Sequence, residues 1–229
     1  MANRDKLWRW VLFGIVYFVQ GAALTYFSVF NTIYLRTFEL SFTRIGIVGG
    51  ITLVPFILKV FIGLLSDRVN LFGQGHRKPY IVFGLVLQSL AFFLFPLIHP
   101  ADQFGVFVAL CIMASLGMST YDTCTDGLSI DTTPEDERGT VQGIMVGGRA
   151  LSAVVVAAAI GLLSQRGMWP AVFWGIGGMG VLTILPALIV AEPHERPQEQ
   201  DLTQSAFRSL LNKGFVLFVL LGLADREES

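Results

Sequence analysis

The sequence predicts an all-α membrane protein: a bundle of six transmembrane helices followed by the truncated start of a seventh. Three observations support this fold class. The chain of 229 residues is 53% hydrophobic and only 14% charged, whereas a soluble domain carries about 25% charged residues. Its apolar residues form runs of about 20, the length that a helix needs to cross a bilayer core. These runs lack the ten-residue alternation of membrane β-barrel strands.

Six apolar runs are expected to span the membrane, with short connections between them. The first follows Arg4, Lys6 and Arg9, as the apolar part of a signal peptide would. It continues past the length of such a segment and five more runs follow, so we expect a retained first helix. The expected spans are residues 8–30, 44–65, 79–98, 104–130, 139–163 and 170–191.

The sequence beyond the sixth span predicts an incomplete second half. Residues 192–213 are polar and read as a cytoplasmic linker, after the bundle of residues 1–191. The apolar run at 214–224, within the final segment 214–229, has about half the length of a span. We therefore expect a fragment that lacks a C-terminal six-helix half and does not transport alone. The alternative is a half-size protein that dimerises to complete its cavity.

Basic residues predict the orientation, because cytoplasmic loops carry an excess of Lys and Arg. With the N-terminus in the cytoplasm, the outer side holds Arg36, Arg44 and Arg166. The inner side then holds a larger set, namely Arg4, Lys6, Arg9, Arg68, Arg77, Lys78, Arg138, Arg196, Arg208 and Lys213. A multi-pass protein of the cell (inner) membrane is expected, with its N-terminus inside.

Four charged residues lie deep within the expected spans, Lys59, Asp122, Asp126 and Arg149, and Gln20 lies at a similar depth in span one. Charged groups are costly in a bilayer and by default mark function. Counted from the inner helix ends, Asp122 and Arg149 lie about 18 and 16 Å deep, and Lys59 and Asp126 about 12 Å. We expect Asp122 and Arg149 to face each other, within a substrate and proton site. The alternatives are ion pairs that only fix packing and, for Lys59, a side chain that snorkels to the interface.

Glycines in spans five and six predict close helix packing. Gly139, Gly143 and Gly147 form one small face of span five, suited to a close neighbour outside the six helices. The segment from Gly175 to Gly180 matches the dinucleotide-binding fingerprint by its letters. It lies within an apolar helix and follows no strand, so we expect a packing role there too.

The connection between spans two and three carries a motif: Gly63, then Ser66-Asp67-Arg68, then Arg77-Lys78. Asp67 is expected at a helix C-terminus, where an anion is disfavoured and needs a compensating partner. These residues resemble the loop motif of the major facilitator superfamily, with a longer spacing before the second basic pair. The resemblance covers the whole chain and implies the N-terminal half of a twelve-helix fold. It also implies an inner gate formed by Gly63, Asp67, Arg68, Arg77, Lys78 and Arg138.

Finer resemblances point to two groups within the superfamily. Lys59, Ser66-Asp67 and Tyr80 look most like the folate–biopterin transporter group. Asp122, Asp126-Gly127 and the segment from Arg138 to Gly143 resemble the muropeptide permease and acetyl-CoA transporter group.

The resemblance implies a secondary transporter that moves a small polar or anionic organic solute by alternating access, coupled to protons in symport. Arg149 would contact the anion or pair with Asp122, and Asp126 would carry the proton. The alternative is a membrane factor that assembles pigment–protein complexes. An enzyme is not expected, because the aqueous segments hold no nucleophile–base pair or phosphate loop. Two cysteines without metal spacing and a net charge of −1 give no reason to expect a cofactor, a metal or nucleic acid.

Overall fold

The computed structural model describes residues 2–69, 76–190 and 192, and this part of the chain is helical. Six helices are long and apolar enough to cross a membrane, which confirms the predicted six-span fold. They run from Lys6–Arg36, Phe42–Ser66, Lys78–Leu97, Phe104–Thr132, Glu135–Gln165 and Trp169–Ile189. The predicted linker, apart from Glu192, and the predicted seventh run lie outside the described residues.

Span one is longer than predicted and is irregular near its C-terminal end. It comprises α1 (Ala2–Thr25), a π-helical segment (Tyr26–Phe30) and α2 (Asn31–Arg36). The expected span, residues 8–30, leaves Asn31 outside it. Asn31 is instead buried and accepts a hydrogen bond from the Tyr26 hydroxyl at 3.2 Å. This satisfied amide lets the helix continue for a further turn and a half.

Span two is broken in its C-terminal half. It consists of α3 (Phe42–Ile57) and α4 (Lys59–Arg68), separated by a turn at Leu58. Pro55 lies one turn before the break and has no N–H for the helical ladder. Loss of that hydrogen bond explains the interruption, and it places Lys59 at the first position of the new helix.

The remaining spans pack in pairs through glycines. They comprise α5 (Lys78–Leu94), α6 (Phe104–Thr132), α7 (Arg138–Gln165) and α8 (Trp169–Ile189). The largest interfaces join α5 to α6 and α1 to α7. A Cβ at Gly84 would lie 2.6 Å from the Gly117 carbonyl oxygen, so the α5 and α6 backbones meet directly. Gly148 of α7 approaches Gly14 of α1 in the same way.

Glycines in spans five and six behave differently from each other. In span six, Gly177 and Gly180 pack against Ser89 of α5 as predicted, whereas a Cβ at Gly175 or Gly178 would meet no described atom within 4 Å. Gly139, Gly143 and Gly147 are exposed, and no described atom would lie within 4 Å of a Cβ there. Spans five and two are much less buried than the other four spans. Spans two and five therefore carry the uncovered surface of the bundle.

Candidate functional site

A buried ion pair lies between span two and span four. The Lys59 ammonium donates to Oδ2 of Asp122, which is only 2% exposed. Lys59 reaches Asp122 from the first residue of α4, and its side chain remains 32% exposed. The second oxygen, Oδ1 of Asp122, is buried and accepts no hydrogen bond from the described residues. The pair thus joins a buried carboxylate to a lysine side chain that is partly exposed.

A second group of side chains lies one helical turn away and centres on Tyr17 of α1. Its hydroxyl donates to Oδ1 of Asp126, four residues after Asp122. The guanidinium carbon of Arg149 stands 4.8 Å from the centre of the Tyr17 ring, a cation–π contact. Asp126 and Arg149 are both half-buried. Tyr17 therefore binds the acid through its hydroxyl and the base through its ring.

The expected pairing of Asp122 with Arg149 is wrong. In the described part of the chain Arg149 forms no ion pair, and its Nε is buried without a hydrogen bond. The reason is the packing of α7, which lies mainly against α1 and touches α6 only slightly. A short connection between spans four and five does not make them packing neighbours. Lys59, which was expected to snorkel or to join the site, is the cation that Asp122 binds.

Gln20 is the fifth predicted residue and lies one turn beyond Tyr17 on α1. It is 3% exposed, and its Oε1 accepts no hydrogen bond from any residue that the structure describes. The structure thus places Gln20 within the core beside the site but outside both hydrogen-bonded groups. Tyr17 was missed because tyrosine is common at membrane positions and carries no formal charge.

A cavity of about 230 Å³, which we call the kink cavity, is linked to the Lys59 pair through Phe56, one of its lining residues. It lies between the π-helical segment of span one, α3 just before its break, and α6. Its apolar wall is formed by Leu24, Phe27, Leu53, Phe56 and Met118. The Lys59 ammonium lies 5.4 Å from the centre of the Phe56 ring. The ring of Phe56 therefore lies against both the cavity and the ion pair.

The predicted gating loop is partly described. Arg77 Nε lies 2.7 Å from Asp131 Oδ2, and its guanidinium covers Gly127, where any Cβ would overlap it. Lys78 donates from Nζ to the Leu188 carbonyl at 3.0 Å. These contacts join the start of span three to the C-terminal ends of spans four and six.

The other predicted gate residues show simpler surroundings. Gly63 faces Thr123 at an ordinary contact distance of 3.5 Å for an added Cβ. Arg138 lies 3.6 Å from Glu135, and both side chains are exposed. The side chains of Asp67 and Arg68 lie outside the described set.

Glu192 holds the start of span three, a contact that the sequence analysis missed. Its carboxylate accepts hydrogen bonds from the backbone N–H groups of His76, Arg77 and Lys78 at 2.9–3.2 Å. These N–H groups open a helix and have no partner within it, and the positive end of the helix dipole favours an anion there. An acid just after span six was the available signal, but its partner is distant in the sequence.

The known proteins that this chain resembles are membrane transporters. The sequence model of the family described as Major Facilitator Superfamily matches residues 13–224 of the chain. The chain is 27% identical over 221 residues to the Folate-biopterin transporter of Synechocystis sp., covering 91% of this chain and 44% of that protein. It is 29% identical over 203 residues to Multidrug resistance protein MdtH of Proteus mirabilis, covering 86% of this chain and 48% of that protein.

A solved structure shows the same fold. It is the crystal structure of a bacterial homolog to the human lysosomal transporter Spinster, in an inward-facing and unoccupied conformation. The TM-score is 0.61 at 17% identity, over 93% of this chain and 49% of that chain. The chain thus spans about half the length of the relatives it matches. From its six spans, its loop motif and the match over residues 13–224, the chain belongs to the major facilitator superfamily.

Proposed function

We propose that this chain forms the N-terminal six-helix half of a secondary transporter for a small polar or anionic organic solute. The observation that carries the proposal is the Lys59–Asp122 pair, a buried carboxylate with a partly open cation inside the membrane spans. An intramembrane charge is costly, and its presence within a span favours a role in binding. The names of the relatives, a folate-biopterin transporter and a multidrug resistance protein, are consistent with an organic solute.

The solute moves by alternating access in this proposal, with proton symport through Asp126. Asp122 binds a cation, so its protonation would break an ion pair. Asp126 is held instead by the neutral hydroxyl of Tyr17. It can take up and release a proton without separating a salt bridge, which makes it the better proton carrier. Arg149 remains the second anion contact, because its cation–π contact leaves its N–H donors for a ligand.

A second six-helix half is part of the proposal. Spans two and five leave most of their surface uncovered, and Gly139, Gly143 and Gly147 form an open small-residue face on α7. Small residues let helices approach closely in membranes. We propose that the second half packs there, that the loop motif with Arg138 forms the inner gate, and that the N-terminus is cytoplasmic in the cell membrane.

Comparing solute pools in living cells tests the transport proposal. The gene is deleted in its own organism, and anionic organic solutes inside and outside the cells are compared by mass spectrometry. We expect one class of solute to shift across the membrane. Complementation with the native gene should restore it, and Asp122→Asn at equal membrane abundance should not.

Two outcomes would contradict the proposal. One is an unchanged distribution of all organic anions after deletion. The other is a loss of pigment–protein complexes with solute pools unchanged, which would identify an assembly factor instead.

A further inference from the structure

The kink cavity lies between two neighbouring spans, each of which departs from regular α-helical geometry. Span one widens into the π-helical segment Tyr26–Phe30, and π-helical turns are frequent at functional sites. Span two loses a backbone hydrogen bond at Pro55 and breaks at Leu58. The cavity lies between these two irregular segments, with α6 as its floor. Two interruptions of otherwise regular spans thus border one space.

The wall of the kink cavity suits a flat apolar group. Phe27 and Phe56 present aromatic rings, and Met118 contributes a thioether that contacts such rings favourably. The buried hydroxyls at the cavity are already used: Thr52 donates to the Gly49 carbonyl at 2.7 Å and Ser115 to the Cys111 carbonyl at 2.8 Å. The wall therefore offers dispersion and ring contacts, with few free hydrogen-bond donors.

A cation lies at the edge of this apolar wall. The Lys59 ammonium has three donors, of which Asp122 takes one. Its side chain is 32% exposed, and no other acceptor binds the ammonium in the part of the chain that the structure describes. The same ammonium stands over the ring of Phe56, which lines the cavity. An anion bound to Lys59 would have its neighbouring atoms next to Phe56.

We propose that the kink cavity is a binding subsite for the aromatic part of an organic anion whose carboxylate binds Lys59. The proposal rests on the proposed function and narrows its solute class from small polar or anionic compounds to aromatic carboxylates. The cavity, at about 230 Å³, is smaller than the roughly 300 Å³ at the lower end of complete ligand pockets. It therefore holds a ring system and leaves the rest of the solute outside.

Two adjacent glycines provide a matched test. Gly49 lines the kink cavity and Gly50 does not, while a Cβ at either position would meet no described atom within 4 Å. Gly49→Leu fills the cavity and Gly50→Leu adds the same side chain beside it. Ser28→Leu fills the cavity from span one, at an exposed position, and serves as a second variant should Gly49→Leu fail to fold.

Binding is measured with the full chain in nanodiscs by titration calorimetry. The probes are 2-naphthoate, propionate and neutral 2-naphthol. We expect the native chain and Gly50→Leu to bind 2-naphthoate more tightly than either other probe. Gly49→Leu, Ser28→Leu and Lys59→Met should each weaken 2-naphthoate binding about tenfold, a loss of about 1.4 kcal/mol.

The outcomes separate this subsite from the proposed function. Equal affinity for 2-naphthoate in the native chain, Gly49→Leu and Ser28→Leu would overturn the subsite. If propionate then still binds through Lys59, or the deletion cells still show a shifted solute pool, the transport proposal stands. If the native chain binds neither anion and the cells show no shifted pool, both proposals fail.

Discussion

At the scale of single residues, the Lys59–Asp122 pair combines a buried carboxylate with a partly exposed lysine side chain. Asp122 is 2% exposed and binds Lys59 through one oxygen only. A buried ion pair adds little stability as a whole, but removing one partner leaves an uncompensated charge. The energetic asymmetry between losing one residue and losing both can therefore identify the true partner of Asp122.

Lys59→Met should destabilise the protein by about 3–5 kcal/mol, because it leaves the Asp122 carboxylate buried without a cation. The double variant Lys59→Met with Asp122→Asn should recover most of this loss. Unfolding of purified protein in nanodiscs measures both. The matched control is Arg149→Gln with Asp122→Asn, which should show no mutual rescue. Rescue in the control and none in the Lys59 pair would show that the ion pair is assigned to the wrong base.

Two substitutions of Tyr17 separate the role of its hydroxyl, which binds Asp126, from that of its ring, which contacts Arg149. Tyr17→Phe keeps the ring under Arg149 and removes the hydrogen bond to Asp126. We expect a modest stability loss of about 1 kcal/mol, together with altered pH-driven accumulation of solute in complemented cells. Tyr17→Leu should lose both contacts and cost more. Identical pH dependence of accumulation in Tyr17→Phe and the native protein would remove the hydroxyl from proton coupling.

Sequence reasoning located the charged residues of the site but not their partners. Gln20, Lys59, Asp122, Asp126 and Arg149 were identifiable because polar groups stand out in apolar runs. Their pairing depends on which helices pack together, and hydropathy carries no information on that. The neutral partners are harder still: Tyr17 and Phe56 become recognisable only when a charge is seen against their rings.

At the scale of elements, the departures from regular helix occur beside the candidate site. The ends of most spans followed the apolar pattern of the sequence. The clear extension was α2, where the amide oxygen of buried Asn31 accepts a hydrogen bond from the Tyr26 hydroxyl. Pro55 is a residue type that interrupts helices, but the π-helical segment at Tyr26–Phe30 has no residue type that would predict it. Such turns arise from packing between spans and so emerge only in three dimensions.

Glu192 is expected to contribute measurably to the free energy of unfolding, because it binds the N–H groups at the start of α5. Replacing it with Ala should cost about 2 kcal/mol of unfolding free energy, since three helix-opening N–H groups lose a charged acceptor. Glu192→Gln keeps an acceptor oxygen without the charge and should cost about half as much. Asp136→Asn, at an exposed acid on the loop between α6 and α7, is the control and should be neutral. Equal stability of Glu192→Ala and Asp136→Asn would contradict the assignment.

At the scale of the whole molecule, orientation is testable with single cysteines. Cys111 and Cys124 are buried, so their labelling background is low. With the N-terminus inside, Asp102 lies in an outer loop and Asp136 in an inner one. Asp102→Cys should react with a membrane-impermeant thiol reagent in intact cells, and Asp136→Cys only after permeabilisation. The opposite pattern would reverse the predicted topology.

The carboxylate of Glu192 also makes a mechanical connection. It lies three residues beyond the end of α8 and holds the backbone of residues 76–78, where span three begins. A pull on the chain at Glu192 therefore acts on α5 as well as on α8, through several parallel hydrogen bonds. Because α5 meets α6 backbone to backbone at Gly84 and Gly117, the same force reaches the helix that carries Asp122 and Asp126. Tension at this point would displace three helices together instead of unravelling one.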